Sequence, residues 1–282
     1  MKPIFLLTIS LLTFTGCSVE FHEAQLLNPS RATVLSADSL SYESLTGENL
    51  SVEMEPGVTL RGILLQNPSG KRSILYFYGN GGKLVRWELR KNLDSLALVL
   101  DANIICFDYR GYGFSDGDAL LTALPPDGLK VYDTARAKWS SDKPLYVYGY
   151  SIGAAPATFI ASQRKCAGLI LQSPPTTAAA IIPGWVHFLP WYQRLVISFR
   201  ADSALAHLKP QPLDLASQIH VPTLIIVGTD DDLIPPKFSR QLFDSIGTSN
   251  KTFVEVPGAD HYNLAPYRPP TVDSLRHFMD RN

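Results

Sequence analysis

The chain has 282 residues, 45% of them apolar, and sets 25 basic against 26 acidic residues for a formal net charge of −1. That length and apolar content suit a well-buried globular domain and exclude a disordered chain. The near balance of charge supplies no field to hold nucleic acid or to bind an anionic membrane by charge alone.

The N-terminal stretch MKPIFLLTISLLTFTGCS carries one lysine, then an apolar run from Ile4 to Phe14, then the small residues Thr15 and Gly16. The run is shorter than the roughly 20 residues that span a bilayer and has the layout of a secretory signal. Phe14-Thr15-Gly16-Cys17 resembles a bacterial lipoprotein signal, although Phe14 stands where leucine is usual. The resemblance implies that residues 1–16 form a signal peptide, that cleavage precedes Cys17, and that lipid chains on Cys17 anchor the protein. Firm anchoring needs more than one acyl chain. Ser18 resembles the sorting pattern for the outer membrane, which implies a bacterial envelope protein facing the periplasm. Residues 17–49, polar and irregular with Asn28-Pro29-Ser30 and repeated serines, read as a tether into a domain spanning 50–282.

LSVEMEPGVTLRGILLQNP predicts two strands about a turn at Pro56-Gly57. RSILYFYGN predicts a strand, KLVRWELRKNLDSLALVLD a helix, NIICFDYRG a strand, and LPPDGLKVYDTARAKWSSD a helix after a proline break. PLYVYGY is a strand, Ile152 to Lys165 a helix, and AGLILQSP, VPTLIIVG and KTFVEVP are further strands. Apolar strands separated by helices indicate the α/β class, with a mostly parallel sheet covered on both faces. The stretch from about Thr176 to Ile219 is too long for an ordinary connection. Its Trp185, Phe188, Leu189, Trp191 and Tyr192 predict a helical lid. Cys106 and Cys166 lie in or beside apolar runs and read as small buried hydrophobes.

Two pentapeptides fit GxSxG: Gly149-Tyr150-Ser151-Ile152-Gly153 and Gly113-Phe114-Ser115-Asp116-Gly117. A nucleophilic serine of this kind needs a strand running into it, a helix leaving it, and small residues two before and two after. Ser151 meets each requirement. Pro156 falls in the opening turn of the helix, where proline costs little. Ser115 is separated from its strand by a glycine-rich stretch and followed by prolines, so it reads as a polar residue in a surface turn.

A serine hydroxyl needs a base, and the base an orienting carboxylate. Of the histidines, His261 stands after a strand end downstream of both Ser151 and the acidic loop TDDDLIPP. The carboxylate is one of Asp230, Asp231 and Asp232. A backbone donor for a developing oxyanion is expected at Ile152, at the start of the helix.

YGNGG, DYRGYGFSDG, GYSIG, GTDDDLIP and GADH occur in this order across roughly residues 50 to 280. The set resembles the α/β-hydrolase superfamily, in particular the membrane-associated serine hydrolases that include the BEM46-like, ABHD13-like and ABHD17-like proteins. The resemblance implies an α/β-hydrolase fold and selects Asp231 as the triad acid. It also implies that the loop after LYFYGNGG supplies a second oxyanion donor, Asn80 first and Gly81 second, although Tyr78 stands where the family usually has histidine. Asp108 and Arg110 are then expected to brace loops near the site. The function so implied is hydrolysis of carboxylic esters or thioesters, small or lipid-like, through an acyl-enzyme on Ser151. The alternatives are a peptidase or amidase, and a non-catalytic lipid-anchored binding protein that retains the fold. Without HExxH, CxxC or a Walker loop, the sequence gives no support for a metal or other cofactor.

Overall fold

The computed structural model describes residues 17–29, 31, 45–84 and 87–282. The expected signal peptide at residues 1–16, and residues 30 and 32–44 of the expected tether, lie outside the described residues. The first elements are β1 (Cys17–Phe21) and the short helix α1 (Glu23–Leu26). A hairpin follows, β2 (Thr46–Glu55) and β3 (Val58–Gln66), turning at Gly57 with φ 81°. Next come β4 (Arg72–Phe77), α2 (Trp87–Val99), β5 (Ala102–Phe107), α3 (Leu124–Lys138), β6 (Leu145–Tyr150), α4 (Ala154–Gln163) and β7 (Gly168–Gln172). After the insertion, β9 (Thr223–Gly228), α7 (Pro236–Ser245), β10 (Lys251–Val256) and α8 (Thr271–Arg281) complete the domain.

One eight-stranded sheet has the order β10-β9-β7-β6-β4-β5-β3-β2. The β2–β3 and β3–β5 pairs are antiparallel and the other neighbouring pairs are parallel. Side chains alternate between the faces of a sheet. Every residue of β5, β7 and β9 is buried, so both faces there are covered. That is the expected α/β arrangement, and it explains why these strands read as unbroken apolar runs. β2, at the edge, alternates instead and leaves most of its residues exposed. Pro125 and Pro126 do not break the chain ahead of α3. They occupy its first turn, where the missing N–H groups are not needed.

Two expectations are corrected. The insertion is not wholly helical: a 3₁₀ stretch (Ala178–Phe188) leads to a strand, β8 (Ile197–Ala201), and then to the short helices α5 (Ser203–Ala206) and α6 (Pro212–Leu215). β8 alternates exposed and half-buried residues, a period-2 pattern that the aromatic-rich stretch before it obscures. Nor does the segment after Cys17 run free. β1 pairs in parallel with β8, register Cys17 opposite Ile197, and Leu26 and Leu27 are buried against the domain. Phe21 sits edge-on to Trp185 at 4.8 Å and to Phe199 at 5.1 Å, so the burial of its ring holds strand and insertion together.

Candidate active site

β4, β6, β9 and β10 run parallel, so the loops that leave them emerge on one edge of the sheet. Those loops carry Asn80, Ser151, Asp231 and His261. Ser151 follows β6 directly at φ 55°, a left-handed backbone unusual for a residue with a side chain, and a 3₁₀ turn (Ser151–Gly153) runs at once into α4. The flanking glycines are required by contact. A Cβ on Gly149 would stand 2.5 Å from the Gly153 carbonyl oxygen, and one on Gly153 would stand 2.2 Å from that of Phe77.

Ser151, Asp231 and His261, separated by up to 110 positions in the chain, meet in one buried line. His261 Nδ1 lies 2.8 Å from Asp231 Oδ2, and His261 Nε2 lies 3.1 Å from Ser151 Oγ. A carboxylate only accepts, so Nδ1 donates and Nε2 keeps the lone pair that faces the serine hydroxyl. The other carboxylate oxygen, Oδ1, accepts the Ile234 N–H at 2.7 Å and fixes the acid in place. Asp230 and Asp232, the neighbours between which spacing could not choose, are exposed. The line can pass a proton from Oγ to Nε2 and spread the resulting charge onto Asp231.

Residues 72–216 match the alpha/beta hydrolase fold family, just over half of the chain. The chain belongs to the α/β-hydrolase family. Residues 190–265 of this α/β-hydrolase also match a family described as serine aminopeptidase, S33. An uncharacterized protein of Mycobacterium tuberculosis is 31% identical over 239 residues, covering 83% of this chain and 78% of its own. The lysophosphatidylserine lipase ABHD12 of Macaca fascicularis is 31% identical over 194 residues, 64% of this chain but only 46% of the lipase. Among solved structures, the Pyrococcus furiosus esterase Pf2001 superposes with a TM-score of 0.70 at 19% identity, covering 90% of this chain and 97% of the esterase.

In this α/β-hydrolase the triad opens into a cavity of about 430 Å³. Leu26, Leu27, Ile181, Trp185, Leu208 and Leu233 contribute to its apolar wall, and no Asp, Glu, Lys or Arg stands among the described residues that line it. Ile152 and Asn80 line the cavity beside Ser151. Gly81, the second residue expected for the oxyanion loop, turns the chain at φ 73° and is not among the described lining residues, because the loop bends away after Asn80. Asn80 owes its pose to the segment after Cys17: its Nδ2 donates to the Leu26 carbonyl at 2.5 Å, and its Oδ1 accepts from Asn28 N at 3.0 Å and Tyr112 OH at 2.9 Å.

Tyr78, where the family usually has histidine, is buried and donates to Asp108 Oδ1 at 2.9 Å. The same carboxylate accepts the N–H groups of Leu84 and Phe114, which ties the loops after β4 and β5 together. Burial raises its pKa above the usual range against those hydrogen bonds. Arg110 braces in the other direction, bidentate on Asp127 and paired with Glu55. Ser115 is corrected from surface turn to buried strut: its Oγ donates to the Asp108 carbonyl at 2.6 Å and accepts the Arg61 N–H at 2.9 Å. Cys106 and Cys166 are buried, as read from their apolar surroundings, and neither forms a disulfide.

Sequence reasoning missed the support of His261. Tyr150 OH donates to the His261 carbonyl at 2.7 Å while its ring stacks on the imidazole at 5.4 Å between centroids. Burial pushes that phenol well above its usual pKa, so it remains a donor. Behind it, Tyr148 OH donates to Gln172 Oε1 and Gln172 Nε2 donates to the Leu264 carbonyl, bracing the far side of the same loop. The one available signal was the position of Tyr150 inside GYSIG.

Proposed function

We propose that this protein is a serine hydrolase that cleaves carboxylic esters or thioesters of an uncharged, apolar acyl group. The observation that carries the reading is the Asp231–His261–Ser151 line opening into a cavity whose described lining is more apolar than polar and holds no Asp, Glu, Lys or Arg. Ser151 Oγ attacks the carbonyl carbon as His261 Nε2 takes its proton. The oxyanion is met by the backbone N–H groups of Ile152 and Asn80. The tetrahedral species collapses, His261 returns the proton to the departing oxygen or sulfur, and the acyl group stays on Ser151. Water then attacks with His261 again as base, and the free acid leaves. The name of the relative that acts as a lysophosphatidylserine lipase supports a lipid-like ester as the substrate class.

A peptidase or amidase is the second reading, favoured by the match to the serine aminopeptidase family. An aminopeptidase must receive a cationic amino terminus, and no carboxylate among the described lining residues offers a partner for one. The ester reading is therefore preferred. The proposal extends to the membrane-associated branch of serine hydrolases, to lipidation of Cys17 after loss of residues 1–16, and to an envelope location on the outer membrane facing the periplasm.

Labelling with a fluorophosphonate probe tests the reaction. Wild type and Ser115→Ala should label and Ser151→Ala should not. An unlabelled wild type would favour a non-catalytic binding protein, and loss of label only in Ser115→Ala would overturn the assignment of the nucleophile. Cys17→Ser should release the protein from the membrane fraction, and an unchanged distribution would sink the lipidation claim.

A further inference from the structure

We infer that Trp191, Tyr192 and Leu195 form a bilayer-contact surface that lays the lid on a lipid membrane beside the start of β1. Their exposures are 74%, 56% and 76%. Single exposed apolar residues are ordinary, but three of this size within one turn are not. The turn holds them outward. Gln193 and Arg194 donate their N–H groups to the Pro190 carbonyl, and Val196 and Ile197 donate theirs to that of Gln193. The Arg194 guanidinium closes the turn on the carbonyls of Leu189 and His187. The rings of Trp191 and Tyr192 meet edge-on at 6.1 Å.

The occupant follows from where the turn lies and from its charge. Leu195 stands two residues before β8, and β8 begins at Ile197, directly opposite Cys17 in a parallel register. The two strands start at one end of their small sheet. The patch therefore lies beside Cys17, and the choice of a membrane as occupant rests on the lipid anchor proposed there. From Ala178 to Ala201 there are two arginines, one histidine and no carboxylate. Arg200 is paired with Glu20, whereas no carboxylate among the described residues pairs with Arg194. Tryptophan and tyrosine favour the level of the lipid headgroups, and an arginine beside them can reach phosphate while its stem stays among apolar neighbours. No helix among the described residues is long and apolar enough to cross a membrane, so this contact is interfacial. It would add an interfacial contact to the lipid anchor proposed at Cys17. Phe21 on β1 touches Trp185, which lines the cavity, so β1 lies one side chain behind the wall of the site.

The test uses the full chain in vesicles of phosphatidylethanolamine and phosphatidylglycerol, with and without bromine on the acyl chains. Bromine should quench tryptophan emission in wild type, and Trp191→Phe should lose most of that quenching. Equal quenched fractions in the two proteins would overturn the inference. This readout needs no activity, so it stands or falls apart from the proposed reaction. A triple variant, Trp191→Ser with Tyr192→Ser and Leu195→Ser, should keep its thermal unfolding temperature and its rate on a soluble short-chain nitrophenyl ester. Its rate on a long-chain ester carried in vesicles should fall roughly tenfold, the effect of losing about 1.4 kcal/mol of surface binding. If instead Trp191 is unquenched and the triple substitution converts a dimer into a monomer in sedimentation, the patch is a contact between copies of the chain and the membrane reading is wrong.

Discussion

Replacing Asp231 by asparagine should abolish most activity with little effect on folding, and the reason lies in which way the new amide must point. Oδ1 of Asp231 accepts the Ile234 N–H at 2.7 Å and Oδ2 faces His261 Nδ1 at 2.8 Å, with none of the side chain exposed. An amide has one oxygen to offer. Turning its NH₂ toward Ile234 would set donor against donor and leave a buried N–H unsatisfied, which costs about 1–3 kcal/mol. The oxygen therefore stays on Ile234 and the NH₂ faces Nδ1. Nδ1 can meet that donor only as an acceptor, so the imidazole proton moves to Nε2. Nε2, 3.1 Å from Ser151 Oγ, then presents a hydrogen where a lone pair is needed. In a triad of this kind the wrong tautomer lowers kcat roughly ten-thousandfold, or about 5.4 kcal/mol of transition-state stabilisation. Steady-state hydrolysis of a nitrophenyl ester measures the loss, and thermal unfolding should show a melting temperature close to wild type. Asp230→Asn and Asp232→Asn, both on exposed residues, should hydrolyse the ester at nearly the wild-type rate. A loss under about tenfold in Asp231→Asn would refute the tautomer reasoning. A comparable loss in Asp230→Asn would refute the choice of acid.

Two further substitutions address the supports of the site and of the fold. Tyr150→Phe removes the donor to the His261 carbonyl while keeping the stacked ring, and kcat on the same ester should fall about five- to thirtyfold, as a lost hydrogen bond of roughly 1–2 kcal/mol predicts; an unchanged kcat would show that the stack alone holds the imidazole. Burial lifts Asp94 from an ordinary value near 3.8 to about 6, against the pull of Arg90 one turn earlier. Between those values the folded chain holds a proton that the unfolded chain has released, so this residue's contribution is complete below about pH 4 and is lost as pH rises through about 6. Calorimetry across that window should therefore show a flatter melting-temperature profile for Asp94→Asn than for wild type, and parallel profiles would contradict the sign.

The parts of this molecule legible in its sequence are those whose physics is local. β5, β7 and β9 announce themselves because burial on both faces demands uninterrupted apolar residues, and the hairpin does so through Pro56-Gly57. Ser151, the proposed nucleophile, is legible because a strained turn at φ 55° tolerates only small neighbours, and Gly149 and Gly153 record that constraint within five residues. Three contiguous aspartates carry no such record. Which of them turns inward is fixed by a hydrogen bond to Ile234 and by a histidine 30 positions away, so a family pattern, rather than the residues themselves, selected Asp231. Ser115 illustrates the opposite failure. A polar residue in a glycine-rich stretch looks solvated, yet its hydroxyl is buried because Arg61 N–H and the Asp108 carbonyl, both outside its own turn, need a partner.

The segment after Cys17 was the least legible part of the site, because its composition is that of a linker and its partners lie far along the chain. Asn28 N–H reaches Asn80 across 52 positions, and β1 reaches β8 across 180. Those contacts join three things the sequence presents separately. The loop proposed to supply an oxyanion donor is held by Leu26 and Asn28, the cavity wall at Trp185 is held by Phe21, and all three holding residues follow the proposed anchor within a dozen positions. A shift of β1 therefore cannot leave the site unchanged. Moving it together with the residues up to Asn28 would withdraw a ring from Trp185 and strip Asn80 of two of its three side-chain partners, loosening the cavity wall and the proposed oxyanion loop together. The attachment proposed at Cys17 would thus bear on the geometry at Ser151 through a strand of five residues and the segment that follows it.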